Sequence, residues 1–174
     1  AFLTSSRFIS AGSDGSLRLW SLLDSVCLAK IEPHIYQVQD IHVNEITKCV
    51  VSAGIDRRVT VWHNDVIFDT IEFENPMNCI RFIENGKKFV AGSWTGEVYA
   101  YDLVQKVKIT VKKSGKVHQN SIRALSTGRK HFASLDITGL ISVWDQMTLD
   151  VLQSIRLNNV TAISYDFNLS LIHI

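Results

Sequence analysis

SAGIDRRVTVW, residues 52–62, is the stretch on which the fold turns. Val59 and Val61 stand two apart, the period of a strand that buries one face. Asp56, six residues ahead of Trp62, lies in the polar turn that leads into that strand. SAGSDGSLRLW, residues 10–20, repeats the arrangement, with Leu17 and Leu19 alternating and Asp14-Gly15 in the turn before Trp20. AGSWTGEVYAYD, residues 91–102, carries Tyr101 in the tryptophan place, and DITGLISVWD, residues 136–145, carries Trp144. These four aromatic positions are 42, 39 and 43 residues apart. A period near 40 is too long for one hairpin and suits a repeated four-stranded unit.

Outward from these anchors, residues 77–111 lay out one whole unit. Met77 to Phe82 reads as a first strand, closed by a turn at Glu84-Asn85-Gly86. Lys88 to Ala91 is a second, Thr95-Gly96 turns it into Glu97 to Tyr101, and Val107, Ile109 and Val111 alternate in a fourth. The next unit runs Ile122 to Leu125, Phe132 to Ser134, Ile141 to Trp144 and Leu149 to Ile155, with turns at Thr127-Gly128 and Thr138-Gly139. Further strands are expected at Arg7 to Ala11, Val160 to Tyr165 and Leu169 to Ile174. No segment carries a long helical stripe. The chain is expected to be all-β, with Ile80, Phe82, Val90, Val98, Ile122, Ile141 and Val143 in the packed faces.

With four such segments in register and Trp144-Asp145 as its namesake dipeptide, the chain resembles the WD-repeat (WD40) family of β-propellers over essentially its whole length. The family's Gly-His dipeptide is absent, but His34 lies 28 residues before Trp62 and His118 lies 26 before Trp144. The resemblance implies a buried hydrogen-bond network of His34, Ser52, Asp56 and Trp62. Pro76, Thr95 and Tyr101 stand near the corresponding places of the third unit, which is expected to lack it. In the fourth, His118 and Trp144 accompany Thr138 instead of Asp at the turn, so a weaker network is implied there. Radial closure needs about four to eight blades. The chain offers complete units at about 34–73, 76–111 and 118–156, with partial units at 1–31 and 160–174, and reads as an incomplete piece of a larger propeller.

Composition fits this reading. Eighteen Lys plus Arg balance seventeen Asp plus Glu for a net charge of +1, which argues against a polyionic chain. A hydrophobic fraction of 46% supplies a core. No apolar run reaches the eighteen residues of a membrane span, and Arg7, Asp14 and Arg18 interrupt the first twenty positions. Cys27, Cys49 and Cys79 have neither close spacing nor a His cluster, so thiols in a reducing intracellular compartment, cytoplasm or nucleus, are expected rather than a metal site. Phosphate-loop, dinucleotide and nucleophile-elbow motifs are missing, and Gly12-Ser13 and Gly86-Lys87 are read as turns. No enzyme, catalytic residue, cofactor or small-molecule substrate is expected.

What remains is binding. In the family that the chain resembles, the residue before the turn Asp commonly faces one end of the propeller. That place holds Ser13, Ile55, Trp94 and Ile137, and three of the four are large and apolar, suitable anchors for a protein partner. Gln39, Asn78, Asn120 and Thr161 are polar residues at the starts of first strands, read as a rim beside those anchors. The expected function is a noncatalytic scaffold for other proteins within a complex. The alternative is a phosphate or nucleic-acid contact through Lys106, Lys108, Lys112 and Lys113, for which a solvated outer strand is the plainer explanation.

Overall fold

The computed structural model describes residues 1–63, 66–110, 117–160, 162–165 and 172–173. Every strand pairing given for them is antiparallel. A three-stranded sheet comes first: β1 (Arg7–Ala11), β2 (Leu17–Ser21) and β3 (Val26–Ile31) in that order. The second sheet runs β4 (Val38–Val43), β5 (Val50–Gly54), β6 (Arg58–His63), β7 (Val66–Glu72). The third runs β8 (Met77–Ile83), β9 (Lys88–Ser93), β10 (Val98–Asp102), β11 (Val107–Thr110), and the fourth β12 (Ile122–Thr127), β13 (His131–Asp136), β14 (Leu140–Asp145), β15 (Val151–Arg156). A two-stranded piece, β16 (Ser164–Tyr165) with β17 (Ile172–His173), follows. In each larger sheet sequence neighbours are spatial neighbours, a meander. The chain is all-β, as its alternating pattern requires, and the one helical element among the described residues is a 3-10 turn at Glu84–Gly86.

The chain divides into two compact units, Ala1–Ile80 and Arg81–Ile174. In the first, Ile9, Leu17 and Leu19 of the opening sheet pack with Val38, Val43, Val50 and Trp62 of the second in one buried cluster. The alternation read at 17/19 is the burial of this face, whereas Val59 and Val61, also buried, alternate with Trp62 along β6 and lie on the other face of the second sheet. In the second unit β9 neighbours β12, and Phe82, Val90, Val98, Ile122 and Ile141 are buried; Ile80, the last residue of the first unit, is buried as well. Val143 is only half-buried. The buried amide of Gln146 accepts from the backbone N–H of Glu84 and donates to the carbonyls of Gly128 and His131, tying β14's end to two turns.

Two strand starts lie later than the sequence reading places them. Leu149 is not in a strand: its φ is +59°, its N–H bonds the carbonyl of Asp145, and pairing resumes at Val151. Asp145 Oδ1 accepts from the N–H groups of Met147 and Thr148, so the turn extends two residues further than hydropathy alone indicates. The expected strand Val160–Tyr165 contracts to Ser164–Tyr165, and Val111 lies outside the described residues.

Aromatic cross-strand pairs recur at one register: Phe8 opposite Trp20, Phe89 opposite Tyr101 and Phe132 opposite Trp144, with ring centroids 6.0, 5.4 and 5.6 Å apart and stacked. Such pairs add to sheet stability beyond their area. The second sheet departs, with Val50 opposite Trp62.

Candidate functional site

The turns that join the second and third strands of each sheet carry the chemistry of this chain. In the second sheet His34 Nδ1 lies 2.9 and 3.1 Å from the two carboxylate oxygens of Asp56, and His34 Nε2 lies 2.8 Å from Ser52 Oγ. Asp56 also accepts from the N–H groups of Ile35 and Arg58, so one carboxylate fastens residues 34–35 to the β5–β6 turn. Trp62 stands apart from this network. Its Nε1 is buried without a hydrogen-bond partner, as is Thr60 Oγ1.

The fourth sheet reverses the expectation. Trp144 Nε1 donates to Ser134 Oγ at 2.8 Å, Ser134 Oγ lies 2.6 Å from His118 Nε2, and His118 Nδ1 lies 3.2 Å from Asp136 Oδ2. The carboxylate is therefore Asp136, two residues before the Thr138 of the sequence reading. Thr138 donates its hydroxyl and its N–H to Asp136 Oδ1, and Leu140 donates its N–H to the same oxygen. Register explains the shift. Asp136 pairs with Ile122 as Gly54 pairs with Val38 in the second sheet. A Cβ built on Gly54 would stand 2.5 Å from His34 Nδ1. A side chain in this place aims at the imidazole, so Asp there reaches it directly.

The protonation states follow. Burial lowers the His118 pKa, against the pull of Asp136, while burial of Asp136 is outweighed by bonds from Thr138, His118 and Leu140, which hold its carboxyl below the usual range. A neutral His118 then donates from Nδ1 to the Asp136 carboxylate and accepts from Ser134 at Nε2. Every polar group of Trp144, Ser134, His118 and Asp136 is satisfied, in a buried chain that specifies structure.

The third sheet has neither His nor Asp at these places. Ser93 donates to Glu97 Oε2 at 3.1 Å and accepts from the Glu97 N–H at 2.9 Å, while Thr95 also bonds that carboxylate, so its turn is held locally. In the first sheet Trp20 Nε1 donates to Ser10 Oγ at 2.9 Å, and Asp14 is held well below the carboxylate range by bonds from Ser16 and Arg18.

The candidate binding residues project from the same turns. Trp94 and Ile137 are 47% and 59% exposed, Ile55 is half-buried and Ser13 is exposed. The Ile55 N–H bonds the carbonyl of Gln37, and the Ile137 N–H bonds that of Ser121, so both sit at one structural place. Ile55 belongs to the first compact unit, Trp94 and Ile137 to the second. The rim residues Gln39, Asn78 and Asn120 are half-buried. Gln39 and Asn120 are not equivalent: Gln39 lies at the bulge of β4, and the matching bulge of β12 holds Arg123, so Asn120 corresponds to Tyr36. Both first strands bulge at the same place, so the match of Gln39 with Asn120 is a misalignment that only the strand pairing exposes. Lys106 and Lys108 are exposed, whereas Lys112, Lys113 and Thr161 lie outside the described residues. Among the described residues, no group of three or more His, Cys, Asp or Glu side chains is placed to hold a metal ion, and no helix is long and apolar enough to cross a membrane. None of the cysteines is in a disulfide.

Two likenesses to known proteins accompany this geometry. Residues 1–21 match the family described as "WD domain, G-beta repeat". The chain is also similar to a zebrafish (Danio rerio) protein, "p21-activated protein kinase-interacting protein 1-like", with 23% identity over 199 residues that cover 88% of this chain and 53% of that protein. The chain thus spans about half the length of that curated relative.

Proposed function

We propose that this chain is part of a WD-repeat β-propeller that serves as a noncatalytic scaffold, binding other proteins through its second-to-third-strand turns. The observation that carries the reading is the contrast at those turns. Buried His–Asp pairs brace the turns of the second and fourth sheets, while Ile137, and Trp94 in the third, present large apolar side chains to solvent. Rigid presentation of apolar anchors lowers the ordering cost of association. The match at residues 1–21 and the recurrent four-stranded meander support the propeller. The zebrafish relative's name describes a protein that interacts with a kinase, which makes protein binding the natural activity to test first. A cytoplasmic or nuclear site of action belongs to the same proposal.

The test is affinity capture with the full-length protein and with an Ile55→Ala/Trp94→Ala double variant. The proposal expects a protein recovered by the parent to be lost with the variant while its β circular dichroism and cooperative melting persist. Undiminished recovery with the double variant overturns these turns as the binding residues.

A further inference from the structure

The second sheet differs from its neighbours at one backbone position. The turn between the second and third strands ends in a left-handed residue in each of the four larger sheets, and three of these are glycines: Gly15, Gly96 and Gly139, with φ of +79°, +88° and +85°. The fourth is Arg57, at φ +65°. A left-handed conformation disfavours any side chain, and long ones gain nothing from it. Arg57 nonetheless stands there, exposed, and no hydrogen bond or ion pair among the described residues engages its guanidinium.

Its surroundings are built. A cleft of about 300 Å³ runs beside the turn, lined by Ile35, Tyr36, Ile55, Arg57 and Phe73 among others. Ile35 and Tyr36 are consecutive and 64% and 60% exposed. Their backbone is fixed, because the Ile35 N–H donates to Asp56 Oδ2 at 3.0 Å and the Gln37 carbonyl accepts from the Ile55 N–H at 3.1 Å. Two large apolar side chains are therefore held outward by bonds that leave the side chains themselves unused. The neighbouring Arg58 is occupied by Glu72, at 2.8 Å. Arg57 is left as the cleft's available cation.

We infer that this cleft binds an acidic segment of a partner protein, in which a carboxylate pairs with Arg57 and flanking apolar side chains cover Ile35, Tyr36 and Ile55. The inference rests on the scaffold reading and gives its partner a chemistry. Arginine's planar fork matches a carboxylate with two parallel bonds, and such pairs add specificity at the edge of an apolar contact. One unengaged guanidinium between apolar groups, with Glu72 alongside, does not form the cationic track that a nucleic-acid backbone needs.

The Arg57→Gly variant restores the residue that the other three turns use, so it removes the guanidinium without disturbing the turn. A phage-displayed library of random nonapeptides is selected on the full-length protein and, in parallel, on this variant. One enriched peptide is measured by fluorescence anisotropy beside its Glu→Gln counterpart and an oligo-dT strand. The expected result is enrichment of Asp or Glu next to Leu, Ile, Phe or Tyr on the parent alone, with binding weakened about tenfold by either Glu→Gln or Arg57→Gly. The same enrichment on the variant, enrichment without acids, no enrichment, or Arg57-dependent binding of oligo-dT in place of peptide overturns the inference. Arg57→Gly leaves Ile55 and Trp94 in place. A partner whose capture depends on those two residues and survives Arg57→Gly therefore removes this site while the scaffold stands.

Discussion

Trp144 donates its indole N–H to Ser134 Oγ at 2.8 Å, whereas Trp62, placed ten residues after Ser52 just as Trp144 follows Ser134, has no partner for its own. The two tryptophans occupy the same register, and the residue across the strand separates them. Phe132 stacks on Trp144 at 5.6 Å, while Val50 faces Trp62. Stacking fixes the plane of one ring so that its nitrogen meets the serine.

That difference is measurable. Trp144→Phe removes a buried hydrogen bond together with ring volume, whereas Trp62→Phe removes similar volume and an orphaned N–H whose burial is costly. Trp144→Phe should therefore destabilise by about 1–3 kcal/mol more than Trp62→Phe. Urea unfolding of the two variants of the full-length protein, compared at equal m-value, checks this. Equal losses would mean that Trp62 has found a partner in solution.

The carboxylates give a second comparison. Asp56→Ala and Asp136→Ala each leave a buried histidine nitrogen and backbone N–H groups without an acceptor, and each should cost on the order of 2–3 kcal/mol. Thr138→Ala removes one hydroxyl donor from an exposed residue and should cost about 1 kcal/mol or less. Thermal melts of the three variants decide the order. If Thr138→Ala proved as damaging as Asp136→Ala, the buried chain of the fourth sheet would not centre on Asp136.

The sequence carried the repeat, the strands and the His–Ser–Asp set of the second sheet, because these depend on spacing and alternation. It read Thr138 in the place of the turn Asp of the fourth sheet and so expected a weaker network, since counting back from Trp144 treats every sheet as identical. Asp136 was legible only through pairing: the Gly54 place points at the imidazole, and one-dimensional spacing does not contain that direction. Likewise the equivalence of Gln39 with Arg123 rather than Asn120 emerges only from strand pairing, which sets the two bulges side by side in register. Arg57 was visible as a residue in a turn, and its left-handed φ belongs to the place that Gly15, Gly96 and Gly139 hold in the other turns, whereas the cleft beside it depends on Ile35 and Tyr36, distant in sequence, lying against that turn.

The buried His118–Asp136 pair links stability to pH. His118 has a folded-state pKa lowered by burial, so the unfolded chain binds a proton more readily. Its contribution is complete above the ordinary histidine value and is lost as pH falls toward and through the folded value. Asp136, also lowered, contributes above the ordinary carboxylate range and loses that contribution only in stronger acid. Both act in one direction, and stability should fall from pH 7.5 to 5.5 with a His118 share of at most about 1.4 kcal/mol per pH unit. A His118→Asn variant should have a shallower profile over that interval in denaturant titrations, although less stable at pH 7.5. An unchanged slope would place the titration on another group.

Arg57 supplies a prediction about stability that is separate from binding. A non-glycine residue at φ +65° carries a penalty on the order of 1 kcal/mol, partly offset because glycine gains more freedom on unfolding. Arg57→Gly should therefore raise stability by a few tenths to about 1 kcal/mol, a sign opposite to most substitutions. Arg57→Ala keeps the Cβ and loses the guanidinium, and it should match the parent, because no described partner holds the charged end. Differential scanning calorimetry of the full-length protein and both variants separates the two effects. A melting temperature that rises for glycine and stays level for alanine assigns the cost to the backbone. Equal rises for both would assign it to the side chain, and a fall for both would reveal a contact of the guanidinium within the folded protein.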